Sequence, residues 1–336
     1  MYYFIDTGWP DSIAEVNGSL GGLDNQHIYR VIWSNHFKSS LFRNTFPRRI
    51  LHNLSPELTI FTKKCLMELR DYPSGKTAFY NFEAQGEPRA AILLVHGLGE
   101  HAGRYTDWAA RFNEKGVALL AFDLPGHGRS EGRWGVVKSP DNVFDTIDSI
   151  LLEMKGTFPG VPLFLYGHSL GGGIVLNYLI RRKPVVTGAI VTSPWVILTE
   201  TPPPVKALLA NVAGSLMPGM TQPSGLKTEY LSRDPEVVTA YRNDPLVHGL
   251  ISAGLYHWMT SAAEETMKRA SEISVPLLLA HGRDDMITSP SGSVQVAGSA
   301  PKATLKLWDG GYHELHNDPL KEDHFDFITE WMDTLL

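Results

Sequence analysis

The chain of 336 residues holds one cysteine, Cys65, so no intramolecular disulfide can form and the fold must rest on its core. That one thiol neither demands nor forbids a reducing compartment. A basic excess is also missing: 30 Lys and Arg face 36 Asp and Glu, a formal charge of −6. Phosphate neutralisation needs such an excess, so nucleic acid is excluded as the main partner. No segment approaches the ~20 consecutive apolar residues that span a bilayer. The opening MYYFIDTGWPDS has neither a basic n-region nor a long apolar h-region. It does not read as a secretory signal, and a cytoplasmic location is expected. No repeat at a period of roughly 20–50 residues is visible, which excludes solenoids and propellers.

What is present is apolar material. At 43% hydrophobic residues the chain can build a sizeable core, which excludes disorder as a whole-chain reading. The length suits one large α/β domain with an insertion, or two small domains. From about residue 75, short apolar runs alternate with amphipathic stretches. The runs cover 90–95, 117–122, 161–166, 187–192, 275–280 and 304–308. They are rich in Val, Ile and Leu and continuous, as strands buried on both faces of a parallel sheet are. Residues 77–82 add an antiparallel strand ahead of them. Val143, Ile147, Ile150, Leu151 and Met154 share one helical face, as do Phe325, Ile328, Trp331 and Leu335. This alternation predicts a doubly wound, mostly parallel α/β sheet, with ligands beyond the carboxyl ends of its strands.

Two regions break the rhythm. Residues 195–273 separate two expected strands by far more than one crossover needs. They contain Pro202, Pro203 and Pro204 and apolar clusters at 208–209, 216–220 and 250–259. The segment reads as a mostly helical cap over the sheet, the alternative being a small independent domain. The expected sheet core is then 56–194 and 274–336. Residues 1–55 carry scattered aromatics without a clear period and read as an extension of unassigned structure.

The sharpest local motif is Gly167-His168-Ser169-Leu170-Gly171. It follows an expected strand and opens a helical stretch, the context of a nucleophile elbow. The glycines allow strand and helix backbones to approach, and the helix N-terminus favours developing negative charge. A serine hydroxyl becomes a useful nucleophile only when a base takes its proton. On such sheets the order is Ser, acid, His. His281-Gly282-Arg283-Asp284-Asp285 follows the run at 275–280 and supplies an acid, and Gly310-Gly311-Tyr312-His313 follows the run at 304–308 and supplies the base. His313-Glu314-Leu315-His316 lacks the i, i+4 histidine spacing of a zinc helix, and no cofactor or metal is implied. Acyl transfer also requires oxyanion donors. One is the Leu170 N–H, directly after the nucleophile. The other is the Leu98 N–H in His96-Gly97-Leu98-Gly99, a loop after the run at 90–95.

At this point the sequence resembles the monoacylglycerol lipase and lysophospholipase group of α/β-hydrolases. The resemblance rests on HGLGEHAGRY at 96–105, FDLPGHGRS at 122–130, the elbow at 167–171, DPLV at 244–247 and YHELHN at 312–317. It covers roughly residues 75–336 and is silent on the first 55. It implies Ser169 as nucleophile, Asp285 rather than Asp284 as acid, and His313 as base. It further implies Glu100, Arg104 and His316 at the glycerol end of a lipid ester. Glu100 and Arg104 also lie one helical turn apart and can pair with each other.

The function expected is cleavage of ester bonds in monoacylglycerols or similar single-chain lipids through an acyl-enzyme. A lysophospholipase or general carboxylesterase is the near alternative, and a non-catalytic binding module the distant one. The partner is a small lipid ester, with weak peripheral membrane contact through an apolar cap.

Overall fold

A computed structural model describes residues 66–200 and 214–336. The expected extension at 1–55 and the clusters at 202–204 and 208–209 lie outside the described residues. Among the described residues ten strands run in chain order: β1 Leu66–Tyr72, β2 Gly75–Phe82, β3 Ala90–Val95, β4 Val117–Phe122, β5 Leu163–His168, β6 Gly188–Thr192, β7 Thr221–Pro223, β8 Leu250–Ser252, β9 Leu277–Gly282 and β10 Ala303–Trp308. The helices used below are α1 Thr106–Glu114, α2 Pro140–Thr157, α3 Leu170–Arg182, α4 Pro235–Asn243, α5 Ala253–Arg269, α6 Pro290–Ser299 and α7 Lys321–Asp333.

Eight strands form one sheet in the order β1-β2-β4-β3-β5-β6-β9-β10. β1 and β2 are antiparallel, β2 is antiparallel to β4, and every other pair is parallel. The continuous apolar runs are explained by burial on both faces. Along β3 and β5, Leu93, Val95 and Leu165 join a core with Ile147, Ile174, Leu255 and Val296. Their neighbours Ile92, Leu94 and Tyr166 join the opposite core with Trp108, Phe112, Phe325 and Ile328. Successive side chains point to opposite faces, so each strand serves two helical layers. The sheet is mostly parallel and covered by helices on both faces, as the alternation predicts.

Three features differ from the sequence reading. β1 is a further edge strand, with Leu66 and Leu69 exposed, and its sequence LMELRDY has no continuous apolar run. β5 and β9 extend two residues past their apolar runs, because Gly167-His168 and His281-Gly282 keep pairing with β6 and β10. The expected cap is also not all cap. β7 and β8 form a small antiparallel ladder, while Leu255 and Met259 of α5 are fully buried in the sheet's own core. By contrast Leu216 is 77% and Met217 59% exposed, so these two residues of the 216–220 cluster face outward rather than down on the sheet. Among the described residues no helix is long and apolar enough to cross a membrane.

Candidate active site

The carboxyl ends of β3, β5, β9 and β10 bring four loops together. Ser169 sits between β5 and α3 with φ 53° and ψ −116°, a conformation that costs a non-glycine residue about 1–3 kcal/mol. The surroundings over-determine it. Ser169 N donates to Thr192 O at 3.0 Å, while Ser169 O accepts from Gly173 N at 3.0 Å and Trp195 N at 2.9 Å. Both motif glycines are sterically required. A Cβ on Gly167 would lie 2.5 Å from Gly171 O, and one on Gly171 would strike the carbonyl oxygens of Val95 and His96.

His313 Nε2 stands 2.9 Å from Ser169 Oγ, and His313 Nδ1 stands 2.7 Å from Asp285 Oδ2. Asp285 is buried and Asp284 is exposed, which separates two residues that spacing alone does not. Asp285 Oδ1 accepts the backbone N–H groups of Ile287 at 2.8 Å and Thr288 at 3.0 Å. Oδ2 accepts from Thr288 Oγ1 at 3.0 Å and also faces His281 Nε2 at 3.1 Å. Because Asp285 Oδ2 and Thr288 O both accept there, His281 Nε2 is the protonated nitrogen, and its Nδ1 receives Ser293 Oγ at 2.8 Å. The supporting role of His281 is not legible in the sequence, where it is only the residue before a loop glycine. Ser193 Oγ, in the turn after β6, donates to His313 O at 2.8 Å and pins the histidine loop.

Burial opposes charge on both Asp285 and His313, yet each stabilises the other. The His313 imidazolium and the His281 bond hold the Asp285 carboxyl far below the ordinary carboxylate range. Burial lowers the His313 pKa, but the charge and hydrogen bond of Asp285 outweigh it, so the net shift is upward. Burial, with the nearby His316 and His313, drives His168 well below the ordinary histidine range; its ring lies 4.9 Å from that of His313.

The loop after β3 passes directly over the serine: a Cβ on Gly97 would be 3.3 Å from Ser169 Cβ. Gly97 N donates to Glu100 Oε1 at 2.6 Å, so that amide is committed and Leu98 is the next along the loop. Leu170 N opens α3, where the first-turn N–H groups have no intrahelical acceptor.

Of the three residues expected at the glycerol end, Glu100 reaches the cavity wall, and Arg104 and His316 lie behind it. The Arg104 guanidinium reaches Glu100 Oε2 at 2.5 Å and straddles Glu314 at 2.7 and 2.8 Å. His316 is buried, stacked on Tyr105 at 4.7 Å, and burial lowers its pKa to about 4. Burial raises the Glu100 pKa despite Arg104, whereas Arg104 holds Glu314 well below its ordinary range against burial. The pairing of Glu100 with Arg104 that their spacing permits is therefore present, and Glu314 joins it.

Above Ser169 lies a cavity of about 840 Å³. Its apolar wall includes Leu98, Trp195, Leu198, Met220, Ile251 and Tyr256, and its polar wall Glu100, His168, Tyr241 and Glu314. Among the described residues no group of His, Cys, Asp and Glu could hold a metal ion.

Sheet, elbow and Ser–His–Asp geometry together define an α/β-hydrolase. Residues 86–320 match the family model described as serine aminopeptidase, S33, and the chain belongs to that family. It is 33% identical over 249 residues to a monoacylglycerol lipase of Mycolicibacterium smegmatis, covering 73% of this chain and 89% of that one. It is 39% identical over 250 residues to an uncharacterized abhydrolase domain-containing protein of Dictyostelium discoideum, covering 73% of this chain but only 26% of that longer protein. The solved structure of a monoacylglycerol lipase from Paleococcus ferrophilus superposes with a TM-score of 0.72 at 36% identity, covering 80% of this chain and 100% of that one.

Proposed function

We propose that the protein hydrolyses monoacylglycerols through an acyl-enzyme on Ser169. The carrying observation is the unbroken series Ser169 Oγ, His313 and Asp285, with contacts of 2.9 and 2.7 Å, at the floor of a partly apolar cavity. His313 Nε2 takes the Ser169 proton as Oγ attacks the ester carbonyl. The N–H groups of Leu98 and Leu170 receive the oxyanion. Protonated His313 then gives its proton to the departing glycerol oxygen, and in the second half it activates the water that releases the fatty acid. Asp285 holds the Nδ1–H tautomer and stabilises the imidazolium.

The walls sort the two ends of the substrate. The segment 195–273 contributes Leu198, Met220, Ile251 and Tyr256 and acts as a cap for the acyl chain, each buried CH₂ contributing about 0.8 kcal/mol. The exposed Leu216 and Met217 give this cap weak membrane contact. On the polar side, Tyr241 Oη is buried, has no hydrogen-bond partner among the described residues, and can take a free glycerol hydroxyl. A second acyl chain would leave it unpaired, at about 1–3 kcal/mol per buried group. Monooctanoylglycerol is therefore expected to turn over at least about tenfold faster than trioctanoylglycerol, both in solution. A panel of mono-, di- and triacylglycerols and lysophospholipids tests this. Equal rates on the mono- and triester would refute the assignment, and faster lysophospholipid cleavage would move it to a lysophospholipase.

The acid limb of the kcat/KM–pH profile follows from His313. Only neutral imidazole accepts the serine proton, and the His313 pKa is raised. Activity is thus lost as pH falls through that raised value, with a midpoint above the ordinary histidine pKa of about 6.5. A neutral soluble ester is the substrate of choice, and a midpoint below 6.5 would contradict the assignment.

A further inference from the structure

We propose that Arg104 and Glu314 are positioning residues that fix the oxyanion loop relative to the catalytic base, an inference resting on the hydrolase reading above. The three charged groups come from three places in the chain. Glu100 lies in the loop after β3, Arg104 in the short turn Ala102–Tyr105 before α1, and Glu314 directly after His313. A continuous bonded path joins them. Gly97 N donates to Glu100 Oε1 at 2.6 Å, Arg104 Nη1 donates to Glu100 Oε2 at 2.5 Å, and both Arg104 Nη atoms donate to Glu314. One end of this path is the peptide immediately before the one that presents the Leu98 N–H, and the other is covalently attached to the base.

Each member is held by further partners. Glu100 Oε1 also accepts Tyr105 Oη at 2.9 Å. Glu314 Oε2 accepts Asn317 Nδ2 at 2.8 Å, and Glu314 N donates to Leu231 O at 2.7 Å. The face of the guanidinium is covered by the Tyr241 ring, with Cζ 4.6 Å from the centroid. The Arg104 side chain is only 9% exposed and makes three bonds to carboxylates, so it has little left to offer a glycerol hydroxyl. A planar fork that grips one carboxylate in two places while bonding a second is rigid, unlike a lysine's point charge. Oxyanion stabilisation depends on donor placement within a fraction of an ångström, so slack in this path weakens the transition state more than the ground state.

The test compares two esters, monooctanoylglycerol and p-nitrophenyl octanoate, the second having no glycerol. Active serines are titrated to completion with a fluorophosphonate and kcat is expressed per titrated serine. Arg104→Met is expected to lower kcat about 10²-fold on both esters while KM moves within about twofold. Arg104→Lys, which restores charge but not the fork, recovers only part of that loss. Glu314→Gln is expected to cost about tenfold on both, since neutral bonds are roughly half as strong as charge-assisted ones. It carries the test if Arg104→Met does not fold. A loss confined to monooctanoylglycerol and expressed in KM would make Arg104 a glycerol contact and overturn the proposal. Fewer titratable serines with unchanged kcat per serine would make the three-residue path merely structural and overturn it too. Failure of the wild-type protein to label at Ser169 would instead overturn the underlying hydrolase reading.

Discussion

Ser169→Ala is expected to abolish ester turnover while leaving the fold intact. Oγ is the attacking atom, and nothing else beside His313 Nε2 replaces it. In a serine protease, loss of the nucleophile costs about 2 × 10⁶ in kcat, and the residue of activity comes from binding and the oxyanion hole. The fold should tolerate the change because the elbow is held by main-chain bonds, from Ser169 N to Thr192 O and into Ser169 O from Gly173 and Trp195. Alanine keeps all of these. Hydrolysis of monooctanoylglycerol and circular dichroism on the same preparation check both halves. Near-wild-type hydrolysis by the folded variant would remove Ser169 from the chemistry.

Asp285→Asn is expected to lower kcat by about 10³–10⁴, and Asp284→Asn by less than about tenfold. The asparagine can present an N–H to His313 Nδ1, which favours the wrong tautomer and leaves Nε2 protonated against Ser169. It also removes the negative charge that stabilises the imidazolium. Asp284 is exposed and faces neither nitrogen, so only weak, screened electrostatics are lost there. His281 sharpens the comparison. An amide nitrogen in the Oδ2 place would face the His281 Nε2–H donor, and one in the Oδ1 place would face the Ile287 and Thr288 N–H groups, so either amide orientation loses bonds that the carboxylate makes. The reverse ranking in purified, folded variants would transfer the role to Asp284. Equal small losses would put the three-residue assembly itself in doubt.

Much of the sheet is legible because burial on both faces leaves a simple mark. Strands β3 and β4 carry the bounds that their continuous apolar runs predict. β1 leaves no such mark: its alternating exposed and half-buried residues become a strand only through the register Leu66↔Asn81 to Tyr72↔Gly75. The segment 195–273 misleads for a related reason. Apolar spacing reports that a helix has a buried face, but not what covers it. Leu255 and Met259 turn that face to the sheet core and α3, whereas Leu216 and Met217 turn outward.

The sequence by itself determined the order of the strands along the chain, the sharp turn that carries Ser169, and the loops that bear Asp285 and His313. These are local matters, written in apolar runs, obligatory glycines and the position of a residue just past a strand. The family resemblance selects Asp285 over Asp284, but only the tertiary structure shows that Asp285 faces His313 while its neighbour faces solvent, and that His281 supports that aspartate. The same holds for Arg104, which meets Glu314 across 210 residues of chain. Such pairings depend on where separate loops leave the sheet and how deeply each side chain is desolvated. No linear pattern records either, because the spacing between partners is set by the crossovers between them and not by their own chemistry.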